Sequence, residues 1–355
     1  MKALFLRQAR RLLLGSLLLV PVAVLNAATT EAVAENMLLL QTASGGWSKH
    51  FQGKAVDYAH TFSAEERRML RAADRRDDAT IDNQATTREI AHLAEAYART
   101  GNAAYLQAAR RGVDYLLTAQ YPGGGWPQYY PDRSGYRHLI TFNDDAMTRV
   151  LGLLQGIVEQ RGALAALAPG IEQRAQDAVT RGLACVIAAQ VRIDGRLTIW
   201  AAQYERDTLQ PAKARSYELP ALAVAESVGV VALLMRQREP SPEVVEAVEA
   251  AAQWLEAHRL PDLALRRVAA PLQESGRDVL LVQQPGASLW ARFYDLEQQQ
   301  PMLVNRAGER VAQLAGLPNE RRIGYAWYGV WPETLLRKEL PAWRARHGRI
   351  VDDRR

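Results

Sequence analysis

Cysteine is nearly absent: Cys185 is the only one in 355 residues. That excludes an internal disulfide framework and a cysteine-based zinc site. Histidine is sparse, and His50, His60, His92, His138, His258 and His347 form no HExxH and no close pair at metal spacing. No GxSxG, Walker A or GxGxxG string occurs, so serine-triad hydrolysis and nucleotide binding lack their signatures. The basic residues follow no nucleic-acid-binding pattern. Strand-like alternation is scarce, with short extended pieces expected only near Val279–Val282 and Leu289–Tyr294. With 48% hydrophobic and 23% charged residues, the chain is neither disordered nor collagen-like.

The formal net charge of +5 hints at an anionic partner. Much of it is local to the start. Lys2, Arg7, Arg10 and Arg11 precede any acid, a mainly apolar stretch runs from Leu12 to Leu25, and small residues follow at Ala27 and Ala28. This is the order of a secretory signal peptide, and the stretch is short for a membrane span. Without residues 1–27 the chain has 40 basic and 39 acidic residues, a net of +1. Nothing later is long and apolar enough to span a bilayer. We therefore expect a leader over 1–27 and one exported domain over 28–355, periplasmic or extracellular, free of the membrane once the leader is removed.

What is present is helical periodicity. Ile90, Leu93, Ala94 and Tyr97 fall on one face, and so do Tyr105, Ala108, Gly112, Val113 and Leu116 after the stop-and-cap pair Gly101-Asn102. Val179, Leu183, Val186 and Ile187 form another stripe, as do Val244, Val248, Ala251, Ala252 and Leu255 after Ser241-Pro242-Glu243. Ser63 and Glu66 have capping-box spacing. A loose repeat runs through these helices. Arg111-Gly112 opens a stretch ending Ala119-Gln120, followed by a glycine turn and Trp126; Arg181-Gly182 opens one ending Ala189-Gln190, followed by a loop to Trp200. Gln41 precedes Trp47 at the same spacing as Gln120 precedes Trp126. Repeated helix pairs with loops gathered at one end predict an all-α dominated fold. It is an α/α toroid, or partial α/α barrel, with a few short strands and long loops carrying the site. The tail after Pro341 reads as a solvated end.

Four polar clusters stand out. Asp82-Asn83 and Asn143-Asp144-Asp145 each lie just before a helix. Their oxygens suit either helix capping or a hard cation such as Ca²⁺. Lys213, Arg215, Tyr217 and Glu218 lie between Pro211 and Pro220, on a constrained loop. The C-terminal third brings Trp290, Arg292, Arg306, Arg321, Arg322, Tyr325 and Trp327, a mixture suited to carboxylate and sugar-ring recognition. Three other readings stay open on these residues. One is a non-catalytic binder of acidic polysaccharide. Another is an α/α-barrel glycoside hydrolase using Asp82 and Asp144. The last is a cyclase-like protein sharing the Q-x-x-x-G-x-W turn.

The strings GGWSKH, ATIDNQATT, AQYPGGGWPQYYP, HLITFNDDAM, TLQPAKARSYELPAL, ESVGVV, LWARFYDL and GYAWYG resemble, in order, those of the pectate lyases of polysaccharide lyase family 10. They span roughly residues 36–345. The resemblance implies an α/α toroid that cleaves polygalacturonate by Ca²⁺-assisted β-elimination. It places the metal on Asp82, Asn83 and Asp144, with Asn143 or Asp145 in support. It makes Arg215 the group that abstracts the C5 proton. Lys213, Arg292, Arg306, Tyr325 and Trp327 become substrate-binding. Ser48 and His50 depart from the proline and asparagine expected there. The implied partner is pectate, met by a monomer, with no nucleic acid. Nearby cations and Ca²⁺ are expected to depress the arginine's pKa.

Overall fold

The computed structural model describes residues 22–72 and 77–352. Residues 1–21 of the expected leader lie outside that range. Eight helices carry the architecture: α1 Val22–Leu40, α2 Ala64–Leu70, α3 Thr87–Thr100, α4 Ala103–Ala119, α5 Ala146–Val158, α6 Glu172–Ala188, α7 Val224–Met235 and α8 Pro242–Ala257. Their ends follow local chemistry. Ser63 and Glu66 form a capping box at α2. Gly101 takes a left-handed conformation to stop α3, and the Asn102 side chain accepts the Ala104 N–H to start α4. Ser241 caps α8 ahead of Pro242. The Arg111-Gly112 and Arg181-Gly182 pairs lie well inside α4 and α6, which begin earlier than the repeat suggested.

The apolar stripes build two layers. α3, α5 and α7 pack side by side as an inner layer, and α4, α6 and α8 form the outer one. Each inner helix also packs on the outer helix that follows it. Ile90, Leu93, Val150, Leu154, Val230 and Leu234 of the inner helices are fully buried. α7 is apolar nearly all round, as an inner helix must be. α1 closes one end of this partial α/α toroid against α3 and α4.

The repeat is structural. Trp47, Trp126, Trp200 and Trp290 each donate the indole N–H to a carbonyl in the last turn of an outer helix or α1: Met37, Leu116, Val186 and Leu255, at 2.7–2.8 Å. Those carbonyls have no partner within their own helix. Gln41, Gln120 and Gln190 each donate from Nε2 to a turn carbonyl and to the next outer helix, at Ala108, Ala178 and Ala247. Arg111 and Arg181 in turn donate to the Gln41 and Gln120 carbonyls.

Two expectations are corrected. The extended pieces near 279–282 and 289–294 are largely one strand, Arg277–Ala291, paired antiparallel with Leu260–Ala269. Its alternation is masked because the hairpin is exposed along much of both faces. The tail is not a loose solvated end. It is a helix, Leu340–Asp352, with Trp343 fully buried and Arg344 paired with Glu249 of α8. No helix among the described residues is long and apolar enough to cross a membrane.

Candidate active site

The loops from an outer helix to the next inner helix start with the tryptophan turns and end at the inner helix N-termini. That gathers the polar clusters at one end of the toroid. The turns Asp82–Gln84 and Asn143–Asp145 lie against each other there. Both are strained: Asn83, Gln84, Thr86, Asp144 and Asp145 have φ of 50°, 69°, 68°, 51° and 60°. Non-glycine residues adopt that region at a cost, and here five of them fall within or just beyond two short turns. Capping does not explain them, because no side chain caps either α3 or α5.

Asp82 is 1% exposed. Its Oδ2 accepts from Lys49 Nζ, and its Oδ1 is buried without a hydrogen-bond partner. Burial opposes the charge on Lys49, but Asp82 outweighs it and raises the lysine's pKa. Asp144 accepts from Asn143 Nδ2 at 2.9 Å, and its Oδ1 lies 3.5 Å from Arg292. Arg292 also contacts Glu226, a fully buried carboxylate on the first turn of α7. Burial pushes the Glu226 carboxyl up despite that guanidinium. Asp145 turns aside to Arg149, at 3.6 Å, and burial raises its pKa.

Arg215 sits on a tight turn closed by Glu218 N–H on the Arg215 carbonyl. Its Nη1 donates to the Tyr217 hydroxyl at 3.2 Å, its Nε lies 3.4 Å from Glu218, and the Tyr136 ring is 5.8 Å away. Burial lowers its pKa, but Tyr217, Glu218 and Tyr136 together raise it well above the ordinary guanidinium value. The protein's own groups therefore act opposite to the expected depression.

Asp82, Asn83 and Asp144 offer two carboxylates and an amide. The bare Asp82 Oδ1, with Glu226 Oε2 also unpartnered, suits a hard cation with oxygen ligands. Among the described residues no three His, Cys, Asp or Glu side chains form a complete metal cluster. Further ligands would come from backbone, water or substrate. A cavity of about 710 Å³ between the long hairpin and the C-terminal segment lies away from these groups.

The model of the family described as Pectic acid lyase matches residues 41–336. The chain belongs to that family. The family 10 polysaccharide lyase from Cellvibrio cellulosa is similar at 31% identity and a TM-score of 0.77, over 90% of this chain and 96% of that one. A second structure, a mutant of the Cellvibrio enzyme in complex with trigalacturonic acid, is 31% identical with a TM-score of 0.76, over the same shares. No curated protein matches. The chain is a pectate lyase, and the hydrolase, cyclase and non-catalytic readings fall away.

In this pectate lyase the other predicted residues are arranged as follows. Lys213 is exposed on the Arg215 loop. Arg306 forks onto Glu320 at 2.8 and 2.9 Å and lies 5.8 Å from the Tyr217 ring. Tyr325 stacks on Phe293 and carries Arg292 and Arg321 at 5.0 and 5.1 Å. Trp327, at 3% exposure, lies beneath Arg321 and supports this platform from below. Arg322 belongs elsewhere: it clamps Asp278 of the long hairpin. Lys49 and Glu226 were not singled out as site residues. A signal for Lys49 exists in the repeat. Lys49, Gln128, Ala202 and Arg292 each stand two residues after a repeat tryptophan.

Proposed function

We propose that this pectate lyase is exported, acts as a monomer in the periplasm or outside the cell, and cleaves α-1,4-polygalacturonate by calcium-assisted β-elimination. One observation carries the reading: the aspartate turns, the Arg215 turn and the Arg292–Tyr325 platform share one end of the toroid. The trigalacturonic acid held by the Cellvibrio mutant supports the substrate class.

Asp82, Asn83 and Asp144 would hold Ca²⁺, which supplies positive charge against the uronate carboxylate. Arg292, fixed by Glu226, would bind a carboxylate beside it, and Lys213 and Arg306 would bind others along the chain. Tyr325 would bound the sugar, with Trp327 holding its platform. Arg215 in its neutral form takes the C5 proton. The C5–H electron pair becomes the C4=C5 double bond as the C4–O4 bond breaks, and the departing oxygen takes a proton. No water is consumed overall.

The test is incubation with polygalacturonate, with and without EDTA, following the ultraviolet absorbance of the conjugated product. We expect a calcium-dependent rise, lost in Arg215→Ala while binding of oligogalacturonate persists. Absence of a calcium-dependent rise on low- and high-methyl pectin alike would falsify the reading.

A further inference from the structure

We propose that Lys49 is the built-in counter-cation of the metal turn: it holds Asp82 in the calcium-free enzyme, and calcium must bind against its charge. The inference rests on the calcium reading above.

The pair is well shielded, with the Lys49 and Asp82 side chains 15% and 2% exposed. Shielding strengthens both the attraction within the pair and the repulsion of any further cation. The backbone just before Lys49 is tied to the segment that carries Asp82. Trp47 N–H donates to Thr86 Oγ1 at 3.0 Å, and Thr80 N–H donates to the Trp47 carbonyl at 3.0 Å. Val56 N–H holds the Lys49 carbonyl at 3.1 Å. Only the side chain is left to move.

The repeat supplies an independent argument. Lys49 and Arg292 occupy the same place, two residues after a tryptophan, and each reaches the aspartate of one metal turn. Their circumstances differ. Arg292 is anchored by a second acid, Glu226, whereas Lys49 has Asp82 as its one acidic partner among the described residues. Arg292 is thus the fixed cation and Lys49 the releasable one. A cation arriving at Asp82 weakens the hold on Lys49 and leaves its ammonium to a uronate carboxylate. Calcium and substrate then favour each other's binding.

Calorimetric titration of the full chain with CaCl₂ tests this. Lys49→Met should bind calcium about tenfold or more tightly than wild type, because a shielded like charge has gone. In an Arg215→Ala background, where substrate is not turned over, adding Lys49→Met should shrink the calcium-driven gain in trigalacturonate affinity to the part that calcium makes by its own contact with the uronate carboxylate. Lys49→Gln removes the charge but keeps a hydrogen bond to Asp82, and serves if Lys49→Met does not melt cooperatively. Unchanged or weaker calcium binding in the folded variant overturns the role of Lys49. A wild type that binds no calcium overturns the calcium reading itself, and this proposal with it.

Discussion

The base role proposed for Arg215 sets a large reactive demand against an unfavourable resting state. Its pKa is held high although burial works against its charge, because Tyr217, Glu218 and Tyr136 outweigh desolvation. A base with a raised pKa is neutral more rarely, and below that pKa its neutral fraction grows tenfold for each unit that the pH rises. Activity should therefore climb toward alkaline pH. Glu218 is the group to remove, since its carboxylate favours the charged guanidinium. Glu218→Gln keeps an acceptor for the Arg215 N–H, now at 3.1 Å, while deleting the charge. The acid limb of the pH–rate profile should move to lower pH. At a given pH on that limb the rate should rise by up to about fivefold, since a partly exposed pair is worth about 0.2–1 kcal/mol. A limb that stays in place would remove Glu218 from the control of Arg215. Glu226 makes the opposite case. Glu226→Gln leaves the largely buried Arg292 with only Asp144, at 3.5 Å, as counter-charge, and should cost about 3 kcal/mol in thermal unfolding while raising KM.

At the level of elements, the glycine turns before Trp47 and Trp126 are held by close backbone contact, at Gly45 and Gly124. A Cβ on Gly124, which has a φ of +93°, would stand 2.1 Å from the Arg181 carbonyl oxygen. Gly101 has a φ of +70° but open space around its Cβ position. Gly101→Ala should then cost about 1 kcal/mol, the strain of left-handed backbone alone, and Gly124→Ala about 3 kcal/mol or more. Equal losses in chemical denaturation would contradict the close-contact account. These turns also show what the sequence made legible. Gln41, Gln120 and the following tryptophans were readable because the spacing recurs. The companion repeat was missed: Trp200, Tyr204 and Pro211 recur as Trp290, Tyr294 and Pro301, with each tyrosine hydroxyl accepting an alanine N–H. Its middle repeats chemical type more than identity, with Glu205, Asp207 and Gln210 answered by Asp295, Glu297 and Gln300. Asp82 and Asp144 were readable as local clusters. Lys49 and Glu226 were not, because each works through a partner 33 or 66 residues away.

For the whole molecule, charge and chain boundaries matter together. Without the proposed leader, a net charge of +1 offers little long-range attraction to a polyanion, and recognition then falls to the local cations at the toroid's end. The expected leader also overlaps α1, which begins at Val22. The contacts that tie this helix to the body come from further along. Glu35 accepts from Tyr105, Asn36 donates to the Tyr58 and His60 carbonyls, and Met37 accepts the Trp47 indole N–H. Ala34, Met37 and Leu40 are buried. Removal of residues 1–27 should thus leave the melting temperature and lyase activity unchanged. Removal of residues 1–40 strips the last-turn carbonyl from Trp47, both hydrogen bonds that Asn36 donates, and three buried side chains. That should cost more than about 5 kcal/mol, combining lost burial with an indole N–H left unsatisfied. The damage should reach the site, because the Trp47 backbone positions both Thr80 and Thr86 on either side of Asp82. Calorimetry of the two truncations, with calcium titrated into each, checks the argument. If the shorter chain kept wild-type stability and calcium binding, α1 would have no part in building the site.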